Sequence, residues 1–230
     1  MNILAIDTSA APVSVALLRD GFLAGEFFLN IKTTHSQTLM PMLESLLSMT
    51  DCRLQDIDVF AVNAGPGSFT GIRIGVASVK GMTLPEGKPC AAVSTLAAMA
   101  YGLPYEHGVI CAVMDARRSQ VYNALFEIKN GKPVRLCDDR PVSLDDLANE
   151  IKALPSPVFI LGDGAAVTSS YLTKAGIPFE TAPDNLIWQS AWGVAMAALS
   201  KTPGDADSLK PVYLRLSQAE RERLEKEGRA

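Results

Sequence analysis

Apolar residues along the chain fall into short runs closed by an acid or a turn, alternating with longer stretches where they return every three or four positions. Residues 3–7 are an apolar run ending in Asp7, residues 13–18 follow as Val-Ser-Val-Ala-Leu-Leu, and Arg19-Asp20-Gly21 marks a turn ahead of 22–29. Three short runs joined by tight turns predict an antiparallel meander. Over 36–49, Leu39, Leu43, Leu46 and Leu47 recur at helical spacing, and Pro41 must then lie in the first turn or kink the helix. Residues 57–63 read as a buried strand, 72–84 as a helix on the spacing of Ile72, Val76 and Val79, 89–93 as a strand and 95–101 as a helix.

The second half repeats the plan. Residues 109–115 are an apolar strand ending in Asp115, 120–128 a second strand, Asn130-Gly131 a turn and 133–137 a third strand. Ser143 has the chemistry of a helix N-cap, with Asp146 near the third helical position and Leu144, Leu147, Ile151 and Leu154 as the apolar face. A strand over 157–161, the loop Gly162-Asp163-Gly164-Ala165 opening another helix, and a helix over 189–199 complete the set. Two successive meander-helix-strand-helix units, each with Asp at the end of its first strand, predict duplicated α/β lobes. The boundary falls near 101–108, where Pro104 and Gly108 punctuate, giving lobes over 1–103 and 104–230, with the last helices of the second able to pack back on the first. The charge-dense tail, 217–230, reads as a solvated helix end or a frayed terminus.

Composition narrows the function without choosing it. A chain of 230 residues with 48% hydrophobic and 20% charged residues has enough apolar material for real cores. The net charge of −4 argues against a protein that grips nucleic acid unaided, leaving open a basic patch within a larger assembly. Cys52, Cys90, Cys111 and Cys137 are scattered without a C-x-x-C pair, so the expectation is reduced, structural thiols. No basic n-region with an apolar h-region opens the sequence and no apolar stretch is long enough to span a bilayer; a cytoplasmic protein without a membrane partner is expected.

Candidate chemistry gathers at the strand ends. Gly65, Gly67 and Gly71, with Pro66 and Ser68, separate a strand from a helix, so backbone N–H groups can converge on an anion or another backbone can approach closely. No Gly-Lys-Ser/Thr follows, so this is not a Walker A loop. Asp7-Thr8-Ser9 can hold Mg²⁺ through water and offer hydroxyls to a phosphate, or simply form an Asx or Ser/Thr turn. Asp115-Ala116-Arg117-Arg118 carries the same choice, between pairing with phosphate or carboxylate and a solvated turn. His35 and His107 are the only histidines and lack ligand-spaced neighbours, so no metal site is expected; no Gly-x-Ser-x-Gly elbow and no nucleophile with its base is evident. Gly71, Gly75 and Ser78 share one helix stripe, with Ala77 and Gly81 beside it, smooth enough for close packing inside the chain or against another subunit.

Several segments, taken together and in order, resemble the bacterial TsaB (YeaZ) family. They are Ile3-Leu4-Ala5-Ile6-Asp7-Thr8-Ser9, Ser14-Val15-Ala16-Leu17, His35-Ser36-Gln37-Thr38-Leu39-Met40-Pro41, the run from Gly65 through Gly75, Val93-Ser94-Thr95-Leu96, Asp115-Ala116-Arg117-Arg118 with Val121-Tyr122, and Pro211-Val212-Tyr213-Leu214-Arg215. The resemblance implies an actin/sugar kinase-like (RNase H-like) fold of two lobes, each a mixed sheet flanked by helices. It implies a noncatalytic subunit that pairs with and activates a TsaD-like transferase in making N6-threonylcarbamoyladenosine at position 37 of tRNAs reading ANN codons. A TsaE-like ATPase and tRNA are then met only through the complex, and the isolated chain can form a homodimer. The catalytic sibling carries a His-x-x-x-His metal motif where this chain has Thr95 and Met99.

On the same resemblance the partner surface comprises His35, Leu39, Met42 and Leu46 on the first helix and Gly71, Arg73, Gly75, Ser78 and Met82 on the second. Asp7, Thr8, Ser9, Gly65, Gly67, Ser68, Asp115 and Arg118 become a vestigial nucleotide or phosphate site, with no cofactor required and at most weak nucleotide binding, alone or at the partner junction. The competing reading is a stand-alone ATPase or phosphotransferase using Asp7, Asp115 and the glycine loops.

Overall fold

The computed structural model describes residues 1–104 and 107–215; the charged tail read from the sequence lies outside the described residues. Strands β1 (Asn2–Asp7), β2 (Val13–Arg19) and β3 (Phe22–Leu29) form the expected meander, followed by helix α1 (His35–Met49). Strand β4 (Val59–Gly65), helix α2 (Phe69–Thr83), strand β5 (Cys90–Ser94) and helix α3 (Thr95–Tyr101) complete the first unit. The second runs β6 (Val109–Asp115), β7 (Gln120–Lys129), β8 (Lys132–Arg135), β9 (Arg140–Ser143), α4 (Leu144–Ile151), β10 (Val158–Leu161), α5 (Ala165–Lys174), β11 (Glu180–Thr181) and α6 (Ala191–Ala198).

The duplication extends to strand pairing. The first sheet has the order β3-β2-β1-β4-β5, and the second, read from its β8 edge, β8-β7-β6-β10-β11. In each sheet the unit's first strand is central, antiparallel to its meander neighbour and parallel to the strand after the helix. Strand β9, unforeseen in the sequence, pairs with the part of β7 that β8 leaves open. Pro41 lies in the second turn of α1 rather than the first, on the exposed side with Gln37, where water can replace the amide that the Gln37 carbonyl lacks.

Period-two alternation divides the first sheet into two apolar faces. Leu4, Ile6, Leu17, Phe60 and Val62 meet Leu39, Leu43 and Leu46 of α1 and Ile72, Val76 and Val79 of α2. Ile3, Ala5, Ala16, Leu18 and Ala61 face Ala191, Val194, Ala195 and Ala198 of α6. Helix α3 packs in the opposite sense, setting Leu96, Met99 and Ala100 against Ile110, Ala112, Met114 and Phe126 of the second sheet. Each unit's last helix thus covers the other unit's sheet. The two helices cross at backbone contact, since a Cβ on Gly193 would lie 2.1 Å from the Ala98 carbonyl oxygen. Burying large apolar side chains contributes about 1.5–3 kcal/mol each, so this exchange is what joins the lobes. All four cysteines are free thiols, and burial pushes Cys111 up to about 12. Among the described residues no helix is long and apolar enough to cross a membrane.

Candidate functional site at the interlobe cleft

The glycine loop is a place of close backbone approach. A Cβ on Gly67 would sit 2.3 Å from the Ser9 carbonyl oxygen, and one on Gly71 2.0 Å from that of Thr8. At Gly65 the intruding atom would be the Val212 carbonyl oxygen, at 2.2 Å. Three backbone donors are spent internally: Ser68 N–H donates to Ser9 O at 2.7 Å, Gly71 N–H to Ser68 Oγ at 3.2 Å and Ile72 N–H to Ser68 O at 2.9 Å. The 211–215 segment is pinned across the loop, with Val212 N–H donating to Ala64 O at 2.7 Å. Of the two uses open to this loop from sequence, close approach of the chain's own backbone is the one that Gly65, Gly67 and Gly71 serve.

Asp7 is similarly engaged. Its Oδ1 accepts from Ser9 N–H at 2.8 Å and Ser9 Oγ at 2.7 Å, and its Oδ2 from Asn63 Nδ2 at 2.6 Å. This is an Asx turn with a cross-strand amide added. At 1% exposure the carboxyl does not reach solvent, and burial raises its pKa. Thr8, fully buried, donates its hydroxyl to the Gly71 carbonyl at 2.7 Å. Asp115 builds the matching turn in the second lobe, accepting from Arg117 N–H at 2.7 Å, with the Arg117 guanidinium 3.3 Å from its other oxygen. The duplication therefore reaches individual hydrogen bonds, but Asp115 is partly open to solvent where Asp7 is sealed.

Between these turns lies a cleft of about 520 Å³, lined by Ser9, Gly67, Ser68, Phe69, Asp115 and Asp163 among others. Asp163 and Gln189 were not read from the sequence as site residues. Gln189, 1% exposed, donates through Nε2 to Asp163 Oδ1 at 3.2 Å. Burial, with the nearby Asp115 charge adding to it, pushes Asp163 up to about 6. The only sequence signal for Asp163 is its place after β10, the strand parallel to β6. Arg117, Arg118 and Ser119 all have left-handed backbones, with φ of 64°, 56° and 57°, which turns the chain sharply beside the cleft. Arg118 does not line the cleft. Arg215 donates to the Ala116 carbonyl at 2.8 Å and links the 211–215 segment to the second lobe.

The expected partner surface needs correction. Leu39, Met42 and Leu46 are core residues under β2 and β3, and Gly71 and Gly75 are buried against Thr8 and Val62. The smooth stripe is there because the chain's own β1 and β4 come close. Of the nine residues, Arg73 is exposed and His35, Ser78 and Met82 are half-buried. The outward stripe of α2 instead runs through Arg73, Ala77 and Gly81, and a Cβ on Gly81 would meet nothing within 4 Å. Arg73 donates from Nε to the Tyr213 hydroxyl at 2.8 Å, and Phe69 stacks on Tyr213 with ring centres 4.4 Å apart. His35 Nε2 lies 2.8 Å from the Ala10 carbonyl, which can only accept, so the proton is on Nε2.

The metal positions suggested by the sibling motif do not fit a metal. Thr95 is fully buried and Met99 is 3% exposed, packed among the α3 core residues. Among the described residues no three His, Cys, Asp or Glu side chains gather as a metal site.

The chain is 36% identical to the tRNA threonylcarbamoyladenosine biosynthesis protein TsaB of Bacillus subtilis, over 98% of its own length and 99% of that protein's. It belongs to the TsaB family. The Escherichia coli TsaB is 40% identical over 129 residues, 55% of each chain. A family model described as TsaD, tRNA N6-adenosine threonylcarbamoyltransferase, matches residues 29–169. Among solved structures, YeaZ from Pseudomonas aeruginosa superposes with a TM-score of 0.76 at 26% identity, covering 93% of this chain and 99% of that one. A component of an Acidaminococcus fermentans dehydratase, at 14% identity with a TM-score of 0.50 over 86% of this chain and 97% of that one, shares the fold alone. The fold is of the actin/sugar kinase-like class, with two mixed sheets flanked by helices.

Proposed function

We propose that this chain is a noncatalytic subunit in threonylcarbamoylation of adenosine 37 of tRNAs reading ANN codons, acting by pairing with and activating a TsaD-like transferase. The observation that supports this reading is that the glycine loop and Asp7 are engaged within the chain itself. Gly71, Gly67 and Gly65 back directly onto the Thr8, Ser9 and Val212 carbonyls, and Asp7 spends both oxygens on Ser9 and Asn63. Core side chains stand at the sibling's ligand positions. The outer faces of α1 and α2 offer a smooth, apolar-flecked surface for a partner, with Met40, Ala77, Gly81 and Leu84 exposed. A TsaE-like ATPase and tRNA join through the assembled complex in the cytoplasm, and the same faces serve a homodimer when the chain is alone. Depleting the protein and measuring modified tRNA by mass spectrometry tests the role; unchanged modification overturns it.

One feature favours a second reading. Asp115 and Asp163 face an open cleft, where two carboxylates could hold a hydrated Mg²⁺. Robust ATP turnover by the isolated protein, lost in Asp115→Asn, would favour a stand-alone ATPase; absence of turnover and of Mg-nucleotide binding removes it.

A further inference from the structure

A cavity of about 230 Å³, sharing no lining residue with the interlobe cleft, opens where the chain returns from the second lobe to the first. Its walls include Glu26 and Phe28 of β3, Met99 and Gly102 at the end of α3, and Trp188 and Trp192 at the entry to α6. These are the only two tryptophans in the chain. Glu26 is half-buried and accepts from Trp192 N–H at 2.9 Å, with the Ser190 hydroxyl also hydrogen-bonded to it. Burial and the Asp7 charge both hold its pKa up, and among the described residues no cation pairs with it.

Capping the first turn of α6 explains the Trp192 contact. It does not explain why a carboxylate with no counter-ion among the described residues borders a cavity lined by Phe28, Trp188 and Trp192. The negative faces of such rings, together with a desolvated carboxylate, favour a cation and repel an anion. A neutral apolar guest would strip water from Glu26 and return nothing. The space is below the roughly 300–1,000 Å³ of drug-sized ligand sites, which limits the guest to a small amine or one side chain.

We propose that this cavity binds an alkylammonium group, with the ammonium on the Glu26 carboxylate and its methylenes against Trp188 and Trp192. The guest is a free small amine or the end of a lysine side chain, and it bridges β3 of the first lobe to the segment returning from the second.

The test uses the intact protein and its own tryptophan fluorescence. Titration with n-butylammonium is expected to give a saturable change that n-butanol at the same concentrations does not. Glu26→Gln keeps an oxygen for Trp192 N–H, so far-ultraviolet circular dichroism and the unfolding midpoint should hold while butylammonium binding weakens about ten-fold or more. Trp188→Leu leaves the carboxylate in place and, with Trp192 reporting, should also weaken binding. A Gly-Lys-Gly tripeptide binding more tightly than butylammonium points to a protein side chain; weaker binding points to a free amine. No saturable change, an equal response to butanol, or unaltered binding in both variants overturns the proposal.

Discussion

Thr8 and Gly71 hold each other from both sides: the Thr8 hydroxyl donates to the Gly71 carbonyl at 2.7 Å, and a Cβ on Gly71 would lie 2.0 Å from the Thr8 carbonyl oxygen. The obstacle is backbone, so Gly71→Ala must push α2 away from β1. The expected cost is about 2–3 kcal/mol, the upper part of the overpacking range. Thr8→Val removes only the hydroxyl and should cost about 1 kcal/mol. Urea unfolding of the two variants measures both; a Gly71→Ala loss below about 0.5 kcal/mol would show that the loop is not locked to β1.

Gly75 and Ala77 separate folding from pairing. A Cβ on Gly75 would lie 2.5 Å from Thr8 Oγ1 and 3.1 Å from a Val62 methyl, so Gly75→Arg should unfold or strongly destabilise the chain. Ala77 is exposed, and Ala77→Arg should change stability by no more than about 0.5 kcal/mol. On the proposed surface it should nonetheless abolish co-purification with a TsaD-like partner. Retained pairing by a folded Ala77→Arg protein would move the interface elsewhere.

Asp163 predicts a pH dependence with a definite sign. Its folded pKa, pushed up to about 6, exceeds the ordinary value of 3.8, so the folded state binds the extra proton between these values. Stability from this group is therefore fully present below about pH 4 and falls as pH rises through about 6. Asp163→Asn should be more stable than the parent at pH 7–8, by at most about 3 kcal/mol and less because the carboxyl partly meets the cleft. The difference should vanish near pH 4. Urea midpoints across pH 4–8 that move in parallel would contradict it.

Asp7 distinguishes a structural acid from a working one. Asparagine can still accept from Ser9 through one oxygen, and its amide can donate to Asn63 Oδ1, which now lacks a partner, once the Asn63 amide rotates. Asp7→Asn is thus expected to fold and to support tRNA modification within about two-fold of the parent, because no metal or phosphate is asked of the carboxylate. Loss of modification in a folded, partner-bound Asp7→Asn protein would revive the phosphotransferase reading.

Much of the frame was legible because local pattern and tertiary placement agree. The meander followed from short apolar runs and turns, the duplication from Asp7 and Asp115 at matching strand ends, and the start of α4 from Ser143, whose Oγ accepts from Asp146 N–H at 3.0 Å. Strands β9 and β11 were not legible. The first carries Pro141 and pairs along a single edge, and the second has two residues, too short for any period. The glycine stripe announced a close approach without saying to what, since Gly71 and Gly75 look alike whether Thr8 or another subunit faces them. Asp163, Gln189 and Glu26 escaped because their meetings depend on β10 lying beside β6 and on the 185–192 segment crossing back to β3.

The most direct measurement reconstitutes the reaction from purified parts: a TsaD-like transferase, a TsaE-like ATPase, threonylcarbamoyl-adenylate and unmodified ANN-reading tRNA, with and without this chain, read by mass spectrometry of adenosine 37. The account predicts negligible modification without the chain, restoration on adding it, and no restoration by Ala77→Arg. Equal modification with and without the chain would contradict it.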